Sequence, residues 1–177
     1  MASLILLLSA CAPAAYKNYH KATNQYHPPL VHAMEQLLAE HNNNENAEIA
    51  AWAKDFWTGF EKEFDAYKPA KNVVYELFEV VQKDHVKIKI IGGNWCSDTR
   101  TQIPRLIKVL HQAGLSPANL EYIQVDRNKN SIPAQANWTA PTKVPTVMVY
   151  NNNKLLGSII ETPSKTWEKD LMSLLKK

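Results

Sequence analysis

Gly92-Gly93-Asn94-Trp95-Cys96-Ser97-Asp98-Thr99-Arg100-Thr101-Gln102-Ile103-Pro104 joins an apolar segment before it to an amphipathic one after it. Just before it, His85 to Ile91 reads as a buried strand, because Val86, Ile88, Ile90 and Ile91 are apolar and β-branched. Beyond it, Ile103, Leu106, Ile107 and Leu110 recur at helical spacing, which predicts a helix over 97–113 with Gly114 as its stop. Cys96 therefore falls at a strand-to-helix junction. Unpaired backbone N–H groups and the positive end of a helix dipole favour a thiolate there. A lone cysteine is more often a buried structural residue. The polar Ser97-Asp98-Thr99-Arg100 that follows argues for an accessible one.

The segment resembles the active site of the thioredoxin superfamily, in which Trp-Cys-x-x-Cys bridges a central strand and a helix. Trp95 matches the aromatic residue and Cys96 the attacking cysteine. Pro104, eight residues after Cys96, matches the proline inside the family's active-site helix. Thr99 stands where the second cysteine belongs, so the site is a Cys-x-x-Thr version. Farther on, Lys143-Val144-Pro145-Thr146-Val147-Met148-Val149-Tyr150 resembles the family's cis-proline loop and the strand after it. The resemblance implies a cis Val144–Pro145 bond and a substrate-facing loop formed by Val144 and Pro145. It further implies an α/β, thioredoxin-like fold over 71–177, a central mixed sheet flanked by helices, with an N-terminal helical extension. One departure lies six residues before Cys96, where many thioredoxins bury an aspartate that assists proton transfer and this chain has Ile90.

The remaining elements follow from periodicity. Pro28-Pro29 opens a helix carrying Val31, Met34, Leu37 and Leu38 on one face, and the Asn-rich stretch 42–46 closes it. A second helix, about 47–67, places Trp52, Phe56, Phe60 and Phe64 in a stripe, expected to pack against its neighbours rather than to form a partner surface. Pro69 ends it, and Val73, Val74, Leu77, Phe78 and Val81 define the next helix, with a domain boundary near residue 70. Leu120 to Val125 reads as a strand and Asp126-Arg127-Asn128 as a turn, followed by a short helix started by Ser131 and Pro133. Strands 146–150 and 155–160 form a hairpin around Asn151-Asn152-Asn153. Thr162 and Pro163 are expected to be the N-cap and first residue of a last helix whose Trp167, Leu171, Leu174 and Leu175 share a face. No segment matches the thioredoxin fold's first strand, and there is no internal repeat.

With 177 residues and a formal charge of +3 from scattered Lys and Arg, the chain is long enough for a real core and gives a nucleic-acid role little support. The apolar run Leu4 to Leu8 is too short to span a bilayer. Leu8-Ser9-Ala10-Cys11 resembles the lipobox of bacterial lipoprotein signals. The expectation is a signal peptide over 1–10, a lipidated Cys11, and a tether with helices over 11–70. Met1-Ala2-Ser3 lacks the usual positive charge, and an ordinary cleaved signal or a fortuitous apolar start is the alternative. The lipobox reading places the protein as an exported, membrane-anchored lipoprotein of the bacterial cell envelope, periplasm-facing if Gram-negative. It also leaves Cys96 as the only available thiol. Six histidines, among them His27, His32 and His41, match no compact ligand spacing, and neither a metal nor a cofactor is expected.

These readings converge on monothiol chemistry. Cys96 would attack a protein or small-molecule disulfide, and with Thr99 in place of a resolving cysteine, an external thiol or another cysteine of the client would finish the exchange. The Thr99 hydroxyl is expected to hydrogen-bond the thiolate. Asp98 favours the helix but opposes a neighbouring negative sulfur, with Arg100 as an offset, and helix capping is an equal explanation for Ser97 and Asp98. The expected partners are a disulfide-containing or thiol client, an external thiol reductant and, through Cys11, a membrane. The competing expectation is a redox-inactive binding module using the cis-proline groove and the N-terminal helices. A third is a Cys96–Cys96 dimer.

Overall fold

The computed structural model describes residues 59–176 apart from Asp84 and Pro133. Expectations for the signal, Cys11, the first helix, most of the second helix and His27, His32 and His41 lie outside the described residues. Residues 59–66 are helical, followed by α1 (Lys71–Lys83), β1 (Val86–Gly92), α2 (Ser97–Gln112), a 3-10 turn (Pro117–Asn119) and β2 (Leu120–Val125). Then come β3 (Ser131–Ile132), β4 (Thr146–Asn151), β5 (Lys154–Ile160) and α3 (Trp167–Leu175).

The five strands form one mixed sheet in the order β3-β2-β1-β4-β5. β1 and β2 are parallel, with Ile90 opposite Tyr122 and Gly92 opposite Gln124. β1 and β4 are antiparallel, as are β4 and β5 and β2 and β3. A parallel pair cannot be closed by a tight turn, so α2 serves as the crossover from β1 to β2. This is an α/β architecture with a mixed sheet flanked by helices, consistent with a thioredoxin-like fold.

Side chains alternate across the sheet, and its two faces differ. On one, Val86, Ile88, Ile90, Leu120, Tyr122, Val147 and Val149 join Leu77 of α1, Ile103, Leu106, Ile107 and Leu110 of α2, and Trp167 and Leu171 of α3 in the main core. On the other, Ile91, Ile123, Val125 and Val144 form a small cluster with Trp95, Cys96, Trp138 and Met148 at its margin. Away from that cluster the second face is polar, with Lys87 and Glu121 exposed.

The end of the aromatic stripe packs as expected: Phe60 is fully buried in the main core and Phe64 stacks on it at 5.9 Å between ring centres. The same segment is tied to the later helices. Arg105 donates to Glu63 through Nε at 3.0 Å and Nη2 at 2.7 Å, and Lys108 Nζ donates to the Phe64 carbonyl at 2.8 Å. Tyr67 Oη and the Ala70 N–H donate to Glu168 at 2.8 and 3.0 Å. The boundary expected near residue 70 thus divides residues that share one core.

Helix α2 ends as predicted, with Gly114 at φ +71° and its N–H bonded to the His111 carbonyl. Pro104 lies inside it without ending it. The hairpin also matches: Asn152 and Asn153 both take positive φ, which suits the two-residue turn that preserves strand twist.

Two expectations are corrected. Ser131 begins the two-residue strand β3, not a short helix. Asp126 captures the Asn130 backbone N–H at 2.8 Å and its side-chain amide at 3.1 Å, and Lys129 adopts φ 64°, so the chain reverses and pairs back onto β2. The last helix starts later than Thr162, with Thr166 as N-cap residue. Asp170 in its first turn accepts hydrogen bonds from the Ser164 N–H at 2.6 Å and the Lys165 N–H at 3.3 Å, and this holds residues 163–165 outside the helix.

Candidate functional site

Strand β1 ends at Gly92, and Gly93 to Trp95 turn the chain into α2. The turn is closed by the Cys96 N–H bonding the Gly93 carbonyl at 2.8 Å. Cys96 is the N-cap residue of α2, with extended backbone angles (φ −85°, ψ 127°), and its carbonyl accepts the Arg100 N–H at 3.1 Å. No side chain caps the helix, so Ser97 and Asp98 do not serve that purpose. The half-buried Cys96 is the one free cysteine among the described residues.

Val144–Pro145 is a cis peptide, as the resemblance implied. The fold brings this loop to the thiol, with Cys96 Sγ donating to the Val144 carbonyl at 3.4 Å. The adjacent carbonyls are also engaged. Lys143 O accepts the Thr146 hydroxyl at 2.7 Å and Pro145 O accepts the Glu161 N–H at 2.7 Å. Glu161 in turn holds Lys143 Nζ at 2.6 Å, and that contact keeps the Lys143 ammonium protonated above its usual range. Three successive carbonyls are thereby fixed beside Cys96, and Pro145 and Val144 are themselves buried.

Trp95 packs beside the thiol, anchored by its Nε1–H to the Val125 carbonyl at 3.0 Å, with the Arg127 guanidinium 5.4 Å from the ring centre. Gly93 is required here, since a Cβ on it would lie 2.5 Å from Trp95 Nε1. Trp138 closes the outer side, its Nε1–H donating to the Lys129 carbonyl at 2.8 Å.

Thr99 does not behave as expected. Its side chain is fully buried, and its Oγ1 has no hydrogen-bond partner, so the predicted bond to Cys96 is not made. Ile90 is likewise fully buried in the main core, so this chain has no carboxylate at that position. The structure brings Cys96, Trp95, Thr99, Asp98, Val144 and Pro145 to one end of the sheet. Among the described residues, no group of three or more His, Cys, Asp or Glu is placed to hold a metal ion.

A buried polar group beneath the first turn of α2 escapes a motif search. Tyr122 Oη lies 2.9 Å from Asn94 Oδ1 and 3.1 Å from Gln124 Oε1, and all three residues are at most 2% exposed. Burial, and secondarily the nearby Cys96 charge, push the Tyr122 hydroxyl well above its ordinary range, so it stays neutral. Gly92 makes room for it, since a Cβ there would lie 2.8 Å from Tyr122 Oη and 3.0 Å from Thr99 Cγ2. The available signal was Gln124, a polar residue on the face of β2 that Leu120 and Tyr122 turn to the core.

No protein-family model and no curated protein matches the chain. Among solved structures, a protein of unknown function from Pseudomonas aeruginosa is similar at 16% identity and a TM-score of 0.46, over 78% of this chain and 88% of that one.

Proposed function

We propose that this chain is a thioredoxin-superfamily protein that carries out monothiol thiol–disulfide exchange through Cys96. The observation that supports this most is the meeting of Cys96, at the N-terminus of α2, with the carbonyl that precedes cis Pro145. A helix N-terminus offers unpaired N–H groups to an anionic sulfur. The Val144 backbone offers an edge along which an extended client can lie.

In the exchange, the Cys96 thiolate attacks one sulfur of a client disulfide. The client S–S bond breaks, a mixed disulfide with Cys96 forms, and the other client sulfur leaves as a thiolate. With Thr99 in place of a second cysteine, a first external low-molecular-weight thiolate attacks the Cys96 sulfur of the mixed disulfide and releases the client as a dithiol, and a second attacks the resulting Cys96–external-thiol disulfide and regenerates Cys96. On the other route another cysteine of the client attacks the client sulfur and regenerates Cys96 directly. On the first route the two-electron reduction of the client is matched by oxidation of two external thiols to one disulfide; the second route rearranges the client's disulfide with no net change in oxidation state. When Cys96 ionises it gives up the S–H bond to Val144, which frees that carbonyl for a client backbone N–H.

The lipobox-like Leu8-Ser9-Ala10-Cys11 supports placing this activity in the bacterial cell envelope, on an exported, membrane-anchored lipoprotein that is periplasm-facing if Gram-negative. Mixed-disulfide capture tests the reading. The full chain, incubated with a disulfide-containing protein and quenched with acid, should yield a covalent adduct cleaved by dithiothreitol, and Cys96→Ser should abolish it while leaving the fold intact. With Cys11 replaced by Ser in both chains, capture that persists in Cys96→Ser, or its absence when Cys96 is present, would sink the exchange reading and favour a binding module with the same groove.

A further inference from the structure

The geometry points to Tyr122, through its hydrogen bonds with Asn94 and Gln124, as the positioning residue that fixes the Gly93–Cys96 turn and thereby sets the reactivity of the Cys96 thiol. The inference deepens the exchange reading and rests on it for its biological meaning, though not for its test.

Three observations carry it. The phenol is 2% exposed and lies 2.9 Å from Asn94, which is inside the turn that delivers Cys96 to the helix. Tyr122 Oη and Thr99 Cγ2 both approach the point where a Gly92 Cβ would stand, at 2.8 and 3.0 Å, so the hydroxyl sits directly under the first turn of α2. The place where a buried acid would lie is occupied by Ile90, directly opposite Tyr122 in the β1–β2 register. The phenol is therefore the buried ionisable group next to this turn.

The phenol has one proton and gives it to one carbonyl at a time. Donation to Asn94 ties the turn to β2, an interior strand paired on one side with β1 and on the other with β3. The α2 N–H groups that would face an anionic sulfur are held in place by that same turn. Removing the hydroxyl leaves a buried amide unpaired and lets the turn move. The other charged or titratable groups near the thiol are Asp98 and Arg100 on α2, Arg127 after β2, and Lys143 with its partner Glu161 beside Pro145. Tyr122→Phe leaves all of them in place, which makes it a clean substitution.

The test is the rate of iodoacetamide labelling at Cys96 against pH, read by mass spectrometry of the Cys96 peptide from the full chain. Tyr122→Phe should move the midpoint of that curve upward by about half a pH unit, which lowers the reactive fraction about threefold at neutral pH. Asn94→Ala, which removes the turn's own acceptor for the Tyr122 hydroxyl, should move it in the same direction. A purely structural Tyr122 would lower thermal stability and leave the midpoint where it is. Unmoved midpoints in both folded variants, or in Asn94→Ala if Tyr122→Phe fails to fold, overturn the proposal. Loss of mixed-disulfide capture with a normal labelling curve in the parent chain would instead count against the exchange reading alone.

Discussion

Gly92→Ala is a severe test of how the site is packed, because it adds one methyl group at a place where several constraints meet. The new Cβ would stand 2.8 Å from Tyr122 Oη, 3.1 Å from Tyr122 Cε2 and 3.0 Å from Thr99 Cγ2. None of these is the free end of a flexible chain. The Tyr122 ring is held by Asn94 and Gln124, and Thr99 is a β-branched residue in the first turn of α2. Overpacking of this kind costs about 1–3 kcal/mol, and the upper part of that range applies because both neighbours are fully buried. Urea denaturation should show a lower midpoint with an unchanged slope. In a double-mutant cycle, Tyr122→Phe removes the closest atom and should recover part of the loss, a coupling of about 0.5 kcal/mol or more. Additive losses, or a Gly92→Ala protein as stable as the parent, would refute the claim that Gly92 exists to admit the phenol.

Thr99→Val should be neutral or stabilising, by up to about 1 kcal/mol, since it replaces a buried hydroxyl that has no partner with a methyl group of similar shape. A melting temperature clearly below the parent's would show that the hydroxyl is satisfied in solution. The Glu168 carboxyl should contribute to acid lability. Burial pushes its ionisation upward, but the hydrogen bonds from Ala70, its own N–H and Tyr67 outweigh this and leave it below the usual carboxylate range. The stabilisation it provides is present above the ordinary carboxylate range and fades as pH falls through the depressed value. Thermal melts should therefore show Glu168→Gln less sensitive to acid than the parent. Its partner Tyr67 is pushed up to about 12, chiefly by burial and then by the Glu168 carboxylate, so its contribution is complete below pH about 10 and lost on the way to 12. Tyr67→Phe should flatten the stability curve in that alkaline window, and an unchanged curve would show the phenol to be a bystander.

The parts of the fold that were legible in the sequence are those with a local cause. Helical spacing from Ile103 to Leu110 and a glycine in left-handed conformation at 114 define α2 without help from the rest of the chain. The Asn152-Asn153 turn likewise specifies the β4–β5 hairpin. The cis bond at Pro145 came through family resemblance, because nothing in its neighbouring residues selects it. What could not be read was decided by side chains that cap or cross. Asp126 turned the residues after β2 back as a strand, and Asp170 delayed α3 past Pro163, both by capturing backbone N–H groups four to six residues away. The buried Asn94-Tyr122-Gln124 group spans a parallel strand pair, and its members have no reason to meet until the β1–β2 register is known. Thr99 shows a different limit, since residue type predicted a hydrogen bond, whereas its buried Oγ1 has no partner.

The clasp between residues 63–70 and the two later helices bears on where the chain can be shortened. Glu168 is 2% exposed and its charge is answered from residues 67 and 70, while Phe60 fills the main core from a point earlier still. A protein begun at residue 71 would keep every strand and all of α2, yet Glu168 would lose its Tyr67 and Ala70 donors and the main core would lose the Phe60 ring. Such a chain has the whole sheet and lacks its keystone.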